Sequence, residues 1–582
     1  MPVTLEAPSS PRGLLALGLF SSLALLPAIA ALILSYDSTA QPFSDLALSI
    51  ALWVFWLALW PKPRHACLVA APLLIATPLS VYLVLSQHSQ LSSAVVAIIL
   101  ETNVEEARQY LQGLWLPLLL SYLALTATAW RAVRLLARHE VTWQRRYRIL
   151  ALVLAPLIFV ALHLVYQPLE RAAAGLEAVA DPYGITQWPQ EIESARLTAP
   201  FGLLLQVSDA VESEHKIMAA SRARAAYRFG AHQTPVAAER QVYVLVIGES
   251  ARKDRWSING YERPTSPRLQ RETNLVSFGD VVTLIPATRV AVPIILTRAY
   301  SQPGGPFRER SVVSAFREAG FATYWLSTQA PVGRFDATFS AFARESEHVT
   351  YYNVSGGWGA TPPDGVMIEP LERILAKSEG RQFIVLHTLG SHLQYRRRYP
   401  DEFDVFKPSL SKTDPELMHD QAYKEALSNT YDNSILYTDY FLSRVIATLE
   451  SSGRPLATML YVSDHGEDLN DGGCDSRGHG PATVAGLRIP LFFWSSDAYQ
   501  QDFAAKVAQL QRHRNEPLTN ESVFPLLLDA ADIHYSGEDL SRSVMSASFV
   551  PPAKRIVYSI MRPGPLDFDR AHVNRECVLV ND

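Results

Sequence analysis

Three strings in the C-terminal part of the chain set carboxylates and imidazoles directly behind short apolar runs. Val242–Ile247 is followed by Gly248-Glu249-Ser250, Phe383–Leu386 by His387-Thr388-Leu389-Gly390-Ser391-His392, and Met459–Val462 by Ser463-Asp464-His465-Gly466-Glu467. A single acidic residue after a strand is commonly just a helix N-cap. Three strands delivering carboxylates and imidazoles to one edge are a different matter, because oxygen and nitrogen donors gathered in one place suit a metal ion.

The elements that must position these groups follow from the pattern beyond residue 240. Further short apolar runs at Ala322–Leu326 and Pro490–Phe493 alternate with helical patterns at Val312–Ala319 and Ala422–Glu450. Such alternation predicts an α/β fold with a mostly parallel, doubly wound sheet. In such sheets functional groups collect at the carboxyl ends of the strands.

The first third of the chain has a different composition. Five apolar segments, near 13–35, 44–61, 66–86, 113–130 and 149–166, approach the roughly 20 residues needed to cross a bilayer as helix. They largely lack the polar face of a water-soluble helix. The first is not a cleavable signal peptide, because further spans follow it. Lys62 and Arg64 follow the second span, and Arg131, Arg134, Arg138, Arg145, Arg146 and Arg148 follow the fourth; residues 36–43 carry no Lys or Arg, and 87–112 carry only Arg108. Basic loops stay in the cytoplasm, so the N-terminus is expected inside and everything after residue 166 outside. The expected domains are a five-helix transmembrane domain over 1–166, a connector over 167–240 and a catalytic domain over 241–582. The connector is helix-compatible in pieces and broken by Pro182, Pro189 and Pro200; its Phe201–Leu205 stretch suits either the membrane surface or packing on the soluble domain. With a net charge of −5 over 582 residues, nothing points to a nucleic-acid partner. Three cysteines (Cys67, Cys474 and Cys577) exclude a disulfide-rich scaffold and a CxxC zinc module. Cys474 and Cys577 are free to pair if both lie outside the cytoplasm.

Longer strings make the pattern specific. Val-Ile-Gly-Glu-Ser-Ala-Arg (246–252) with Asn-Gly-Tyr-Glu-Arg-Pro-Thr-Ser-Pro (259–267) resembles the signature of the phosphoethanolamine transferases, of the alkaline phosphatase and sulfatase superfamily. The resemblance continues through Ala-Thr-Arg-Val-Ala-Val-Pro (287–293), Gly-Ser-His (390–392), Tyr-Asp-Asn-Ser-Ile (431–435), Ser-Asp-His-Gly-Glu (463–467) and Gly-His-Gly-Pro (478–481), and includes Glu-Thr-Asn-Val-Glu-Glu-Ala (101–107) between the third and fourth spans. It implies an alkaline-phosphatase-like domain with Zn²⁺ held by Glu249, Thr288, Asp464 and His465, and with Thr288 as nucleophile. A threonine hydroxyl is a poor nucleophile at neutral pH, and zinc lowers its pKa toward usefulness. The bland alternative for Thr288, a helix N-cap, is compatible with that role, since a helix N-terminus also favours negative charge.

By the same resemblance His392 and His479 lie near the transferred group, as phosphate ligands or proton shuttles. His387, nearer its strand, reads as structural. Thr102, Asn103 and Glu106 are expected at the donor's head group, or else in a solvated interfacial loop. Several relatives hold the phosphate with a lysine after the nucleophile, whereas this chain has none between Lys253 and Lys377; Gln329 or Arg334 is the candidate replacement. Arg289 stands where a small residue is often found. The implied reaction moves phosphoethanolamine from phosphatidylethanolamine to an envelope acceptor through a covalent threonine intermediate. The acceptor is lipopolysaccharide core, lipid A or a periplasmic glucan. The low cysteine count and the Arg-Lys-Asp-Arg run at 252–255 look more like the core- or glucan-directed branch. The expected protein is a monomer in a Gram-negative inner membrane, its catalytic domain periplasmic. A lipid-dependent phosphoglycerol transferase and a non-catalytic membrane sensor are the alternatives; a sulfatase would need a Cys/Ser-x-Pro-x-Arg string, which is absent.

Overall fold

The computed structural model describes residues 10–34, 41–87, 91, 96, 99, 115–173, 198–208, 211, 224, 226–236, 238–298, 309–329, 338–353, 362–377, 380–412, 421–453, 455–470, 477–560, 564–575 and 577–581. They fall into two compact units, one holding the N-terminal helices and residues 198–211, the other the C-terminal part of the chain.

The first unit contains α1 (Pro11–Leu34), α2 (Gln41–Leu59), α3 (Pro63–Ala70), α4 (Thr77–Gln87), α5 (Trp115–Arg138) and α6 (Arg145–Ala173). A 3₁₀ stretch, Ala71–Ala76, joins α3 to α4, so Pro63–Leu85 runs as one broken span. Among the described residues, three helices are long and apolar enough to cross a membrane: Pro11–Ile33, Pro63–Leu85 and Trp115–Arg138. The second expected span falls on the shorter apolar helix Asp45–Leu59. The fifth falls within α6, whose first turn carries Arg145, Arg146 and Arg148. Large apolar side chains such as Leu15, Leu123 and Leu157 are exposed, as expected where hydrocarbon rather than water is the solvent. Inward faces pack through aromatic and small residues: Phe20 stacks on Trp53 at 6.1 Å, and the Trp53 indole N–H donates to Ser21 Oγ at 2.8 Å. The 201–205 stretch belongs with these helices, its Phe201 ring lying 5.2 Å from that of Trp56.

The second unit is built on a seven-stranded sheet. In chain order its strands are β1 (Gln241–Gly248), β2 (Leu275–Ser277), β3 (Ala322–Ser327), β4 (His348–Tyr351), β5 (Arg381–His387), β6 (Leu456–Ser463) and β7 (Leu491–Ser495), arranged as β2-β7-β6-β1-β5-β3-β4. The five from β6 to β4 run parallel, while β7 is antiparallel to both β6 and β2. All five expected apolar runs are strands. The central ones, β1 and β6, are buried along their whole length, which is why they read as continuous apolar runs rather than alternating ones. Separate hydrophobic clusters cover the two faces of the sheet. The short helix α7 (Thr288–Leu296) packs its Val292 and Ile295 into the first. The long helix α8 (Lys424–Ser451) packs its Tyr431, Ile435 and Leu442 into the second.

Register decides where the chemistry goes. Ile247 at the end of β1 pairs with His387 on one side and Val462 on the other, and Gly248 pairs with Ser463. The residues that follow therefore emerge side by side from one edge.

Candidate active site

Glu249, Asp464 and His465 are fully buried, and their donor atoms lie within 4.8 Å of one another. His465 Nε2 is 3.3 Å from Glu249 Oε1 and 3.4 Å from Asp464 Oδ2. The other imidazole nitrogen, Nδ1, donates to the Gly466 carbonyl at 2.8 Å, which turns a bare Nε2 toward the carboxylates. Asp464 Oδ1 accepts the backbone N–H groups of Ser250 (3.1 Å) and His465 (2.7 Å). Its Oδ2 is buried and has no hydrogen-bond partner among the described residues. Burial and the neighbouring Asp464 charge hold the Glu249 carboxyl well above the usual carboxylate range.

Thr288 completes the group. It is the first residue of α7, with Ala287 rather than Thr288 as the N-cap, so its hydroxyl is not spent on capping. Its Oγ1 donates toward Glu249 Oε2 at 3.2 Å and lies 3.2 Å from His465 Nε2. Two buried carboxylates, one of them with an orphaned oxygen, are costly unless a cation joins them. Carboxylates, a bare imidazole nitrogen and a hydroxyl within one shell are the donor chemistry of a zinc site that keeps a position for substrate. The residues fit the ion.

The supporting shell is equally specific. Ser250 adopts a left-handed φ of 56°, uncommon for a non-glycine residue; its hydroxyl donates to Glu249 Oε1 at 2.9 Å. Gly390, at φ 49°, lies so close to Glu249 that an added Cβ would sit 2.8 Å from the Glu249 carbonyl oxygen. The Ser391 N–H donates to that same oxygen at 2.9 Å. Asp364 pins the turn from behind, accepting from the N–H groups of Leu389 and Gly390 at 3.0 Å each and from the Thr328 hydroxyl at 2.5 Å.

Among the other candidates, His479 is part-exposed, and its ring centroid is 4.3 Å from that of His465. His392 is buried, 6.2 Å from His479 ring to ring; burial, then the charges of His479 and Arg398, hold it well below the ordinary imidazole range. His387 is buried edge-on to Trp325, and burial pushes its pKa down to about 3. Gln329 is in the site, but its side-chain amide donates to Glu249 Oε2 (3.0 Å) and the Thr388 carbonyl (3.1 Å). Arg334, Thr102, Asn103 and Glu106 lie outside the described residues, as does Cys474; Cys577 is disulfide-bonded and Cys67 is a free, buried thiol.

Two residues escaped the sequence reading. Glu467 accepts from His479 Nδ1 at 3.2 Å and forms a second donor group with His465 and His479; its place two residues after His465 was the available signal. Asp364 follows no strand, so nothing marked it.

The sequence model of the Sulfatase family matches residues 241–533. The chain belongs to the sulfatase family. The phosphoethanolamine transferase EptC of Escherichia coli K12 is 26% identical over 552 residues, 90% of each chain. A solved structure of the periplasmic domain of E. coli EptC, in complex with zinc, superposes with a TM-score of 0.51 at 25% identity, covering 59% of this chain and 96% of that one. The integral membrane lipooligosaccharide phosphoethanolamine transferase EptA of Neisseria meningitidis matches 92% of this chain and 97% of its own, with a TM-score of 0.68 at 20% identity. That likeness carries the fold alone. The Kdo(2)-lipid A phosphoethanolamine 7''-transferase of Salmonella typhimurium is 30% identical over 268 residues, only 44% of each chain.

Proposed function

We propose that the chain transfers phosphoethanolamine from phosphatidylethanolamine to an acceptor on lipopolysaccharide or a periplasmic glucan, with Thr288 as the covalent carrier. The observation that carries this reading is the Thr288 hydroxyl, uncommitted to its helix and 3.2 Å from both Glu249 Oε2 and His465 Nε2. Its support is the similarity to EptC along 90% of the chain.

Zinc held by Glu249, Thr288, Asp464 and His465 supplies Lewis-acid chemistry, lowering the threonine's pKa and offsetting charge on the phosphoryl oxygens. With its hydroxyl proton already lost to solvent, Thr288 Oγ1 forms a bond to phosphorus as the bond from phosphorus to the diacylglycerol oxygen breaks. The departing oxygen takes a proton from His479, which is paired through Nδ1 with Glu467. In the second half, the acceptor oxygen attacks phosphorus, its proton returns to His479, and the Thr288 oxygen is released. His392 contributes to holding the phosphoryl group. Gln329 steadies Glu249, and Thr102, Asn103 and Glu106 address the ammonium head group.

The protein works as a monomer with five spans over 1–166, a connector over 167–240 and a periplasmic catalytic domain over 241–582, its N-terminus in the cytoplasm of a Gram-negative cell. Tethering brings the enzyme to a lipid donor that never leaves the bilayer. Similarity to EptC along 90% of the chain favours the core- or glucan-directed branch.

The test incubates the detergent-solubilised protein with phosphatidylethanolamine and follows diacylglycerol and the mass of the Thr288 peptide, beside Thr288→Ala. A phosphoethanolamine adduct in the wild type alone is expected. No adduct from zinc-loaded, folded protein refutes the donor, and phosphatidylglycerol in the same assay exposes a phosphoglycerol transferase.

A further inference from the structure

The first unit contains a small half-open cleft bounded by Pro27 of α1, the broken span around Leu73 and Thr77, and the 198–206 segment with Leu203 and Gln206. Two side chains on its wall have no partner. Thr77 and Ser80 are 3% and 7% exposed, sit three residues apart on one face of α4, and among the described residues neither hydroxyl is hydrogen-bonded. Three serine hydroxyls in this unit behave differently. Those of Ser22, Ser49 and Ser121 each donate to the carbonyl four residues earlier, at 3.0, 2.6 and 2.8 Å. That is the cheap way to satisfy a hydroxyl on an apolar helix.

The backbone at the same place is also irregular. Residues 71–76 are wound as 3₁₀ rather than α-helix, with Pro72 inside the stretch and Pro78 just beyond it. Proline removes a backbone donor and crowds the carbonyl four residues before it. Non-helical backbone inside a membrane span is tolerated where it lines a cavity or is buried in protein. Here it lines the cleft. The opposite wall is fixed by polar bonds: the Ala199 N–H donates to Ser49 Oγ at 3.0 Å, and the Gln206 amide donates to the Leu91 carbonyl at 2.7 Å.

We propose that this cleft binds the glycerol–ester region of a diacyl lipid, with the Thr77 and Ser80 hydroxyls donating to its ester carbonyls. Carbonyl oxygens are the acceptors that a bilayer offers to hydroxyls facing neither water nor protein. The apolar remainder of the wall, Pro27, Leu73, Val84, Leu91 and Leu203, suits the first methylenes of an acyl chain. The inference rests on the membrane reading above and deepens it: phosphatidylethanolamine and the diacylglycerol it leaves behind share this ester chemistry.

The test measures binding rather than transfer, so it is independent of the reaction assigned to Thr288. The full-length Thr288→Ala protein, delipidated in detergent, is titrated with dioleoyl phosphatidylethanolamine, dioleoyl phosphatidylglycerol, dioleoylglycerol and the ether-linked twin of the first, which lacks ester carbonyls. The ester lipid should bind about tenfold more tightly than its ether twin, a modest share of two hydrogen bonds. Adding the near-isosteric pair Thr77→Val and Ser80→Ala should abolish that preference, whereas Ser22→Ala should preserve it. Equal binding of ester and ether lipids by the folded parent overturns the proposal and leaves the cleft to water. So does an ester preference that survives the double substitution. Comparable binding of all three diacyl lipids supports a site for the glycerol esters, and binding confined to phosphatidylethanolamine supports a donor site.

Discussion

Asp464→Asn should reverse the stability ranking of wild type and variant according to whether zinc is present. In the metal-free protein Asp464 and Glu249 are buried carboxylates whose donor atoms lie within 4.8 Å, with Asp464 Oδ2 unpartnered. Two unit charges at that separation repel by roughly 3 kcal/mol at an effective dielectric of about 20. Partial protonation of Glu249, whose pKa is raised by burial and by Asp464, lowers the net relief to about 1–3 kcal/mol. Asparagine keeps an oxygen for the N–H groups of Ser250 and His465, now held by Oδ1, and puts an amide donor where the orphaned oxygen was.

In chelator, therefore, the variant should melt a few degrees above wild type. Zinc at a thousand times its dissociation constant stabilises wild type by about 4 kcal/mol, and the variant, lacking one anionic ligand, should lose most of that gain. Thermal unfolding followed by tryptophan fluorescence, with chelator and then with excess zinc, reads both limbs. If Asp464→Asn is destabilised by the same amount in both conditions, Asp464 is a structural hydrogen-bond acceptor and the metal assignment falls with it.

Three further outcomes are expected. Gln329→Leu removes a donor from Glu249 Oε2 and should weaken zinc binding by about 10- to 100-fold in a competition titration, as loss of an outer-shell partner typically does; unchanged affinity would return Gln329 to the substrate. Gly390→Ala forces a Cβ against the Glu249 backbone at a left-handed φ, and should cost about 1–3 kcal/mol in denaturant unfolding and lower zinc retention. Asp439, buried on α8, has its pKa raised to about 6 chiefly by burial, against the N–H groups of Leu269 and Arg268. A carboxyl whose folded pKa lies above its unfolded value favours folding most at low pH and loses that contribution as pH rises through about 6. Wild type should thus lose roughly 3 kcal/mol between pH 4 and 7 relative to Asp439→Asn, and parallel melting curves across that range would rule the effect out.

Much of this architecture was legible because buried parallel strands have to be apolar and their ends have to turn. Val242–Ile247, Phe383–Leu386 and Met459–Val462 could be read as strands, so Glu249, Asp464 and His465 could be placed at one edge by rule. Thr288 could not. It follows no strand of the seven-stranded sheet directly and starts a helix, and only the resemblance singled it out. Gln329 was chosen to replace a missing lysine, yet its bonds run to Glu249 and Thr388; a side chain's direction is set by packing that periodicity does not report. The break at 71–76 had a signal in Pro72 and Pro78, but the apolar run hid it, since hydropathy does not distinguish an α-helix from a 3₁₀ stretch.

The string Tyr431-Asp432-Asn433-Ser434 supplies no ligand, and its position explains why it travels with the site. Tyr431 Oη donates to the Ser250 carbonyl at 2.6 Å and accepts the Arg252 N–H at 2.9 Å. Asp432 receives Tyr261 at 2.9 Å and Arg263 at 2.7 Å. Asn433 Oδ1 accepts from Val405 and Phe406 at 3.0 and 2.8 Å, and Ser434 donates to Ser391 Oγ at 2.9 Å. One helical turn thus holds the loop after β1 and the loop after β5, the two that meet where Gly390 presses on Glu249. A left-handed Ser250 is tolerated when its surroundings over-determine it, and here its hydroxyl, N–H and carbonyl are all bound. The precision with which Thr288 is set against Glu249 and His465 therefore originates on a buried helix face.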